Sequence, residues 1–222
     1  ATNSWWGQVG FVGAQTLGGN GTVILGNQGT CNALRVDTAG TTLTIGPGIT
    51  VRGHSGQIGQ STGCIGSPAN VTVINQGTLA ADVSGGTIFT RGQSFVNAGV
   101  LNSANGGHLS VQNLTGDVGV VSLLAGSTLT LNGTYTNNLG LHLTTNAVLN
   151  LSGSWANTGG INATNATVNL GGNFTLTGLG VLNRSGGAVN LTGTLEAAGG
   201  TLTFDSVTGS WLMNGGTFRN GV

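Results

Sequence analysis

Glycine recurs in this chain at a near-constant spacing, and that spacing limits the possible folds more than any other feature. Gly77, Gly99, Gly119, Gly140, Gly160, Gly180 and Gly200 are 22, 20, 21, 20, 20 and 20 residues apart. A period of this length marks a solenoid in which each repeat is one turn of the chain. Within each repeat, "STLTLNG", "AVLNLSG", "ATVNLGG" and "GAVNLTG" alternate apolar and polar residues. Alternation with period two is strand patterning, and no stretch carries a helical stripe.

Three short strands fit in each repeat. One starts at the marker glycine, as in "GVLN" at 180–183. The second is of the "VNL" type. The third follows a glycine, as in "GTYTN", "GSWAN", "GNFTL", "GTLEA" and "GTFRN". The links between them are rich in Gly, Asn and Ser, the residues that turn strand corners. The expected fold is all-β, a single parallel β-helix (β-solenoid). Parallel crossovers are right-handed, so the helix is expected to be right-handed as well.

Stacking adjacent repeats tests this fold. Leu109, Leu129, Leu149, Val168, Val189 and Trp211 fall in one file, and Val111, Leu131, Leu151, Leu170, Leu191 and Met213 fall in the next inward one. The third strands contribute Phe95, Leu114, Tyr135, Trp155, Phe174, Leu195 and Phe218. All three files are apolar and form a continuous core. Ser110, Thr130, Asn150, Asn169, Asn190 and Leu212 lie between the first two and are expected to face water. Asn97, Asn137, Asn157 and Asn220 are expected to stack as a corner ladder, broken near Thr177 and at Ala197. "GGNGTVILG" (18–26) and "GTTLTIGPG" (40–48) also read as coils, whereas 52–70 is expected to leave the coil as an irregular loop insertion. About ten coils at about 4.8 Å each make a rod of roughly 45–50 Å. Residues 1–222 are expected to form one domain without a linker.

Composition narrows the class further. Gly accounts for 44 of 222 residues without a three-residue period, which excludes collagen. Charged residues are only 5%, and the chain is rich in Val, Ile and Leu, which argues against disorder. There is no Lys; the cations are Arg35, Arg52, Arg91, Arg184 and Arg219, and the acids are Asp37, Asp82, Asp117, Glu196 and Asp205. Net charge is zero with no basic cluster, so neither nucleic acid nor an anionic membrane surface is an expected partner. No apolar run is long enough for a membrane span. No secretion signal is visible at Ala1, and the chain is expected to be a processed product or a piece of a longer one.

β-Helical enzymes that cut polysaccharides need clustered carboxylates, either to hold Ca²⁺ or to act as an acid and base pair. The five acids here fall in different coils and phases. His54, His108 and His142 fall on different strands and do not converge on a metal. No nucleophile motif and no phosphate loop is present, because no marker glycine opens a helix. The expectation is therefore no catalytic residue, no cofactor and no metal. Cys31 and Cys64 are the only cysteines. Aligning "CNALRV" with "CIGSPANVTV" puts Leu34 over Val71 and the cysteines close together on adjacent coils. A disulfide fastening the insertion is expected, which suits an extracellular chain.

Tyr135, Trp155 and Phe174 are expected in the core rather than as a sugar-binding stripe. The outward file is too mixed for an ice-binding threonine grid. Sequons at Asn132, Asn150, Asn173 and Asn190 follow from the repeat. The ends carry more information. "SWWGQVG" and "GSWLMNGGTFRNGV" look like ordinary coils, with neither a charged cap nor a capping helix. Trp5, Trp6 and Phe11 at one end, and Trp211, Met213 and Phe218 at the other, are expected to lie open. Two unlike apolar ends favour head-to-tail stacking.

The runs "GGAVNLTGTLEAAGGTLTFDSVTGSWLMNGGT" (186–217) and "GTTLTIGPGITVRG" (40–53) resemble β-helical repeats of large bacterial surface and secreted proteins, of the filamentous haemagglutinin and autotransporter-passenger type. That resemblance covers nearly the whole chain and implies a rod at the cell surface that mediates adhesion or forms matrix. It carries over no catalytic residue. The leading expectation is a structural extracellular fibre whose main partner is a further copy of itself. The alternatives are an adhesin rod that binds cell-surface glycans through a loop at 52–70, and a polysaccharide-active enzyme.

Overall fold

Alternating apolar and polar residues put every second side chain on one side of a strand, and in this chain that side is always the same one, the inside of a coil. The computed structural model describes residues 6–27 and 29–222. Parallel strands dominate it and stack as a β-solenoid of about ten coils with three faces.

The first face runs through Gln8–Phe11, Ala33–Val36, Gly56–Gly59 and Thr87–Arg91, the leading halves of His108–Asp117, Thr128–Asn137 and Val148–Asn157, then Thr167–Leu170, Ala188–Leu191 and Leu212–Met213. The second runs through Gln15–Leu17, Thr42–Ile45, Thr72–Asn75 and Ser94–Asn97, the trailing halves of the same three long strands, then Asn173–Thr175, Thr194–Glu196 and Thr217–Arg219. The third has eight strands, from Gly21–Leu25 through Ile49–Gly53, Thr78–Ala81, Val100–Ser103, Val120–Leu123, Leu141–Leu143 and Ile161–Thr164 to Leu182–Ser185. Coils are numbered below by their strand on the first face.

The inward files form one core. Ile88, Leu109, Leu129, Leu149, Val168 and Val189 stack in register and are all buried. Leu34, Ile58, Thr90, Val111, Leu131, Leu151, Leu170 and Leu191 form the neighbouring file. The two faces meet at a column of glycines, Gly133, Gly153, Gly172 and Gly193. A Cβ on Gly153 or Gly172 would collide with the carbonyl oxygen of the glycine one coil below. Both also have positive φ, +81° and +67°. The repeated "NG", "SG" and "GG" steps therefore keep neighbouring coils within pairing distance.

Asparagines line the second corner, inside the coil. Asn75 Nδ2 donates to Asn97 Oδ1 at 2.7 Å, and Asn97 Nδ2 donates to the Val118 carbonyl at 2.7 Å. Two coils on, Asn137 Nδ2 donates to Asn157 Oδ1 at 2.7 Å, and Asn157 Nδ2 donates to the carbonyls of Leu179 and Val181. The expected ladder is thus two pairs and not one column. Asp117 interrupts it, with Oδ1 accepting from Gly119 N at 3.2 Å. The one α-helix among the described residues, Leu176–Leu179, sits where the asparagine file breaks near Thr177. Thr175 caps it, its hydroxyl accepting from Gly178 N. Asn220 turns away to donate to Glu196 Oε1 at 2.8 Å.

Several expectations need correction. The segment 52–70 is not wholly an insertion. Residues up to Gly59 belong to the regular strands Ile49–Gly53 and Gly56–Gly59, and only the stretch after Gly59 and before Thr72 leaves the coil. Leu34 pairs with Ile58 and not with Val71, because a whole strand lies between the two aligned segments. Leu114 does not stack on Tyr135. The ladder slips after Val111, so Leu114 meets Gly133 and Tyr135 meets Gly116, while both side chains stay buried. The last coils are not ordinary. No strand occurs between Glu196 and Leu212, and the third face of coil 9 is replaced by a turn in which Asp205 Oδ1 accepts from Val207 N and Thr208 N at 2.8 Å each.

Candidate functional surfaces

Outside the core, side chains are arranged in files one coil apart, so any site has to be assembled from neighbouring coils. The outward file of the first face is itself hydrogen-bonded. Asn190 Nδ2 donates to Asn169 Oδ1 (2.7 Å), Asn169 Nδ2 to Asn150 Oδ1 (2.6 Å), and Asn150 Nδ2 to Thr130 Oγ1 (3.0 Å). His108 Nε2 shares Thr130 Oγ1 at 2.9 Å. These asparagines do face outward, but each is tied to the next coil and only half-exposed, and Ser110 at the head of the file is buried.

A second outward file was not anticipated. Thr115, Thr134, Ser154, Asn173, Thr194 and Thr217 are in register on the second face, preceded by Thr42, Thr72 and Ser94. It borders a groove of about 800 Å³ that ends at Glu196 and Arg219. The signal was present in the sequence, one residue before each third-strand aromatic, but alignment by inward residues passes over it. The aromatics beneath are core: Trp155 stacks on Phe174 with ring centres 4.3 Å apart, and its Nε1 donates to the Gly171 carbonyl.

Charges are mostly committed locally. Arg52 Nε donates to Asp82 Oδ2 at 2.6 Å, and Arg35 Nη1 lies 3.0 Å from Asp37 Oδ1. Backbone N–H groups of Thr208 and Val207 hold the Asp205 carboxyl below its usual range. Burial pushes His108 below the usual imidazole value and the Tyr135 phenol above its own. His54 contacts Ser55 Oγ at 2.7 Å. Among the described residues no group of three His, Cys, Asp or Glu side chains could hold a metal ion.

Cys31 and Cys64 are joined, with Cα atoms 5.0 Å apart. The bond pins the 60–71 segment against the outside of the first face. There Thr62 donates to Gln57 Oε1 through both its backbone N and its hydroxyl, and Gln60 N donates to the Arg91 carbonyl at 3.0 Å. Gln57 is fully buried beneath this segment.

At the N-terminal end, Trp6, Val9, Val12 and Ile24 are exposed, at 43%, 52%, 70% and 68%. A cleft of about 780 Å³ between Trp6, Val9, Val23, Leu25 and Leu34 opens into the core. Phe11 does not lie open as expected. It faces inward over Val36 and is 6% exposed. Trp5 lies outside the described residues. At the other end Met213 and Phe218 are 56% and 37% exposed. Trp211 is half-buried, with Phe204 edge-on to it at 5.6 Å.

No family model, no curated protein and no solved structure matches this chain. The fold itself defines the class, a parallel β-solenoid. No helix is long and apolar enough to cross a membrane, among the described residues.

Proposed function

We propose that this chain is a length of extracellular fibre, a β-solenoid whose coil stack continues past both terminal coils, through neighbouring copies or through further coils of the same chain. The carrying observation is the pair of terminal faces. Among the described residues, coil 1 has strand edges on all three faces that pair only with coil 2, and coil 10 has edges on two faces that pair only with coil 9. Both faces also expose inward-file apolar side chains: Val9 at one, Met213 and Phe218 at the other. Open edges of this kind are templates for further strands. Two unlike faces join head to tail without closing, which gives a filament. The disulfide suits an oxidising compartment, and the resemblance to filamentous-haemagglutinin-type surface repeats belongs to the same reading.

Electron microscopy of the purified chain, and of the natural product of its gene, tests this. Unbranched filaments or long rods one solenoid wide are expected. Short rods of a single chain's ten coils in both preparations would overturn it.

A further inference from the structure

We propose that the outside of the first face, at coils 4 to 6, binds a singly charged acidic sugar, with Arg91 taking the carboxylate. The site lies on the flank of the rod and does not depend on whether the rod assembles.

Register brings its parts together. Phe89 pairs with Ser110, and Ser110 with Thr130; Thr90 pairs with Val111, and Val111 with Leu131. Arg91, one residue beyond Thr90, therefore begins the outward file that continues with Gln112 and Asn132. A groove of about 330 Å³ follows directly, lined by Ser110, Gln112, Asn113, Thr130 and Asn132. Both edges of the Arg91 segment are fixed. The disulfide-held segment reaches it through Gln60 N to the Arg91 carbonyl at 3.0 Å, and Asn113 Nδ2 donates to the Gly92 carbonyl at 2.5 Å.

Arg91 itself lacks a counter-charge. Its guanidinium carbon lies 4.6 Å from the centre of the Phe89 ring, so the ion is held against an aromatic face. Its Nε is buried without a hydrogen-bond partner, and among the described residues no carboxylate pairs with it. A half-buried cation in this state is completed by an anion, and the guanidinium fork suits a carboxylate bound through two parallel hydrogen bonds. One cation matches one negative charge. The groove beyond offers amides and hydroxyls, which both donate and accept, and no charge. The rest of the ligand is then neutral and rich in hydroxyls, as a sugar ring is.

Calorimetry on the purified chain with glucuronate, glucose and acetate tests this. Glucuronate is expected to bind at least about tenfold more tightly than either control, and Arg91→Gln to weaken it about tenfold or more, the size of a lost charge-assisted hydrogen bond. Arg184→Gln, on the third face, is expected to bind as the parent does. Circular dichroism and melting establish that each variant folds. Should Arg91→Gln fail to fold, Arg91→Lys keeps the charge but loses the fork, and weaker binding is expected. Equal binding of glucuronate and glucose, acetate binding as tightly as glucuronate, no saturable glucuronate binding, or parental affinity in a folded Arg91 variant would each overturn the proposal.

Discussion

An asparagine inside this solenoid and one outside it make similar hydrogen bonds under different conditions. Asn157 is 2% exposed, and its amide bonds to Asn137 and to two carbonyls at the helix corner. Asn157→Ala removes the amide that satisfies the Leu179 carbonyl, while the Val181 carbonyl keeps Ile161 N and the Asn137 amide keeps the Gly160 carbonyl, so a cost of about 1–3 kcal/mol is expected. Asn150 on the outer file can exchange its bonds for water, so Asn150→Ala is expected to cost about 1 kcal/mol or less. Urea denaturation of the two variants checks the ordering. His108 gives a pH dependence of definite sign. Burial lowers its pKa in the folded chain, so between the folded value and the ordinary 6.5 the unfolded chain binds more protons. Its neutral form is favoured by the fold, and the stabilisation is complete above about pH 6.5 and lost as pH falls below it. Melting temperatures at neutral and mildly acid pH are expected to diverge in the parent and to diverge less in His108→Gln.

At the scale of strands and corners, the repeat was legible because a solenoid uses the same contacts in every coil. Leu149, between Leu129 and Val168, could be placed from spacing alone, and the structure keeps it fully buried. Leu149→Ala is expected to destabilise by about 2–5 kcal/mol, measured by denaturant unfolding, because rigid coils above and below cannot collapse into the gap. Departures from the period were not legible. Val111 to Leu114 slips the register, and spacing counted between aromatics cannot detect a bulge that leaves both Leu114 and Tyr135 inside. The strand Gly56–Gly59 was missed because half of it is glycine and its outward Gln57 is buried beneath the 60–71 segment, which removes the alternation that marks a strand. The Arg91 site went unseen for a related reason: it is an outward feature spread over three coils, and its residues Arg91, Gln112 and Asn132 are not a repeat of one another. The disulfide belongs to this scale too. It spans 33 residues, and its loss is expected to cost about 3–4 kcal/mol from the freed unfolded chain. Because the coil on either side keeps its own ladder, Cys64→Ser is expected to raise hydrogen exchange first in 60–71 and at Gln57, ahead of the core.

For the molecule as a whole, the scarcity of charge decides how any assembly should respond to its surroundings. Only ten side chains carry charge, five of each sign, and both ion pairs lie within the chain, at Arg35–Asp37 and Arg52–Asp82. A joint made by Val9, Met213 and Phe218, together with strand edges, would be stabilised by apolar burial and backbone hydrogen bonds, neither of which is weakened by screening. Filaments are therefore expected to persist from low to molar salt, whereas an assembly held by charge would dissociate within that range. Met213→Asp separates the two cases further. It places a carboxylate on the apolar face, where pairing would bury it without a partner, and should abolish filaments while leaving the coils of the single chain folded. Sedimentation across a salt series reads both outcomes. Filaments that dissolve on raising the salt, or that survive Met213→Asp, would mean that the terminal faces are not the joint.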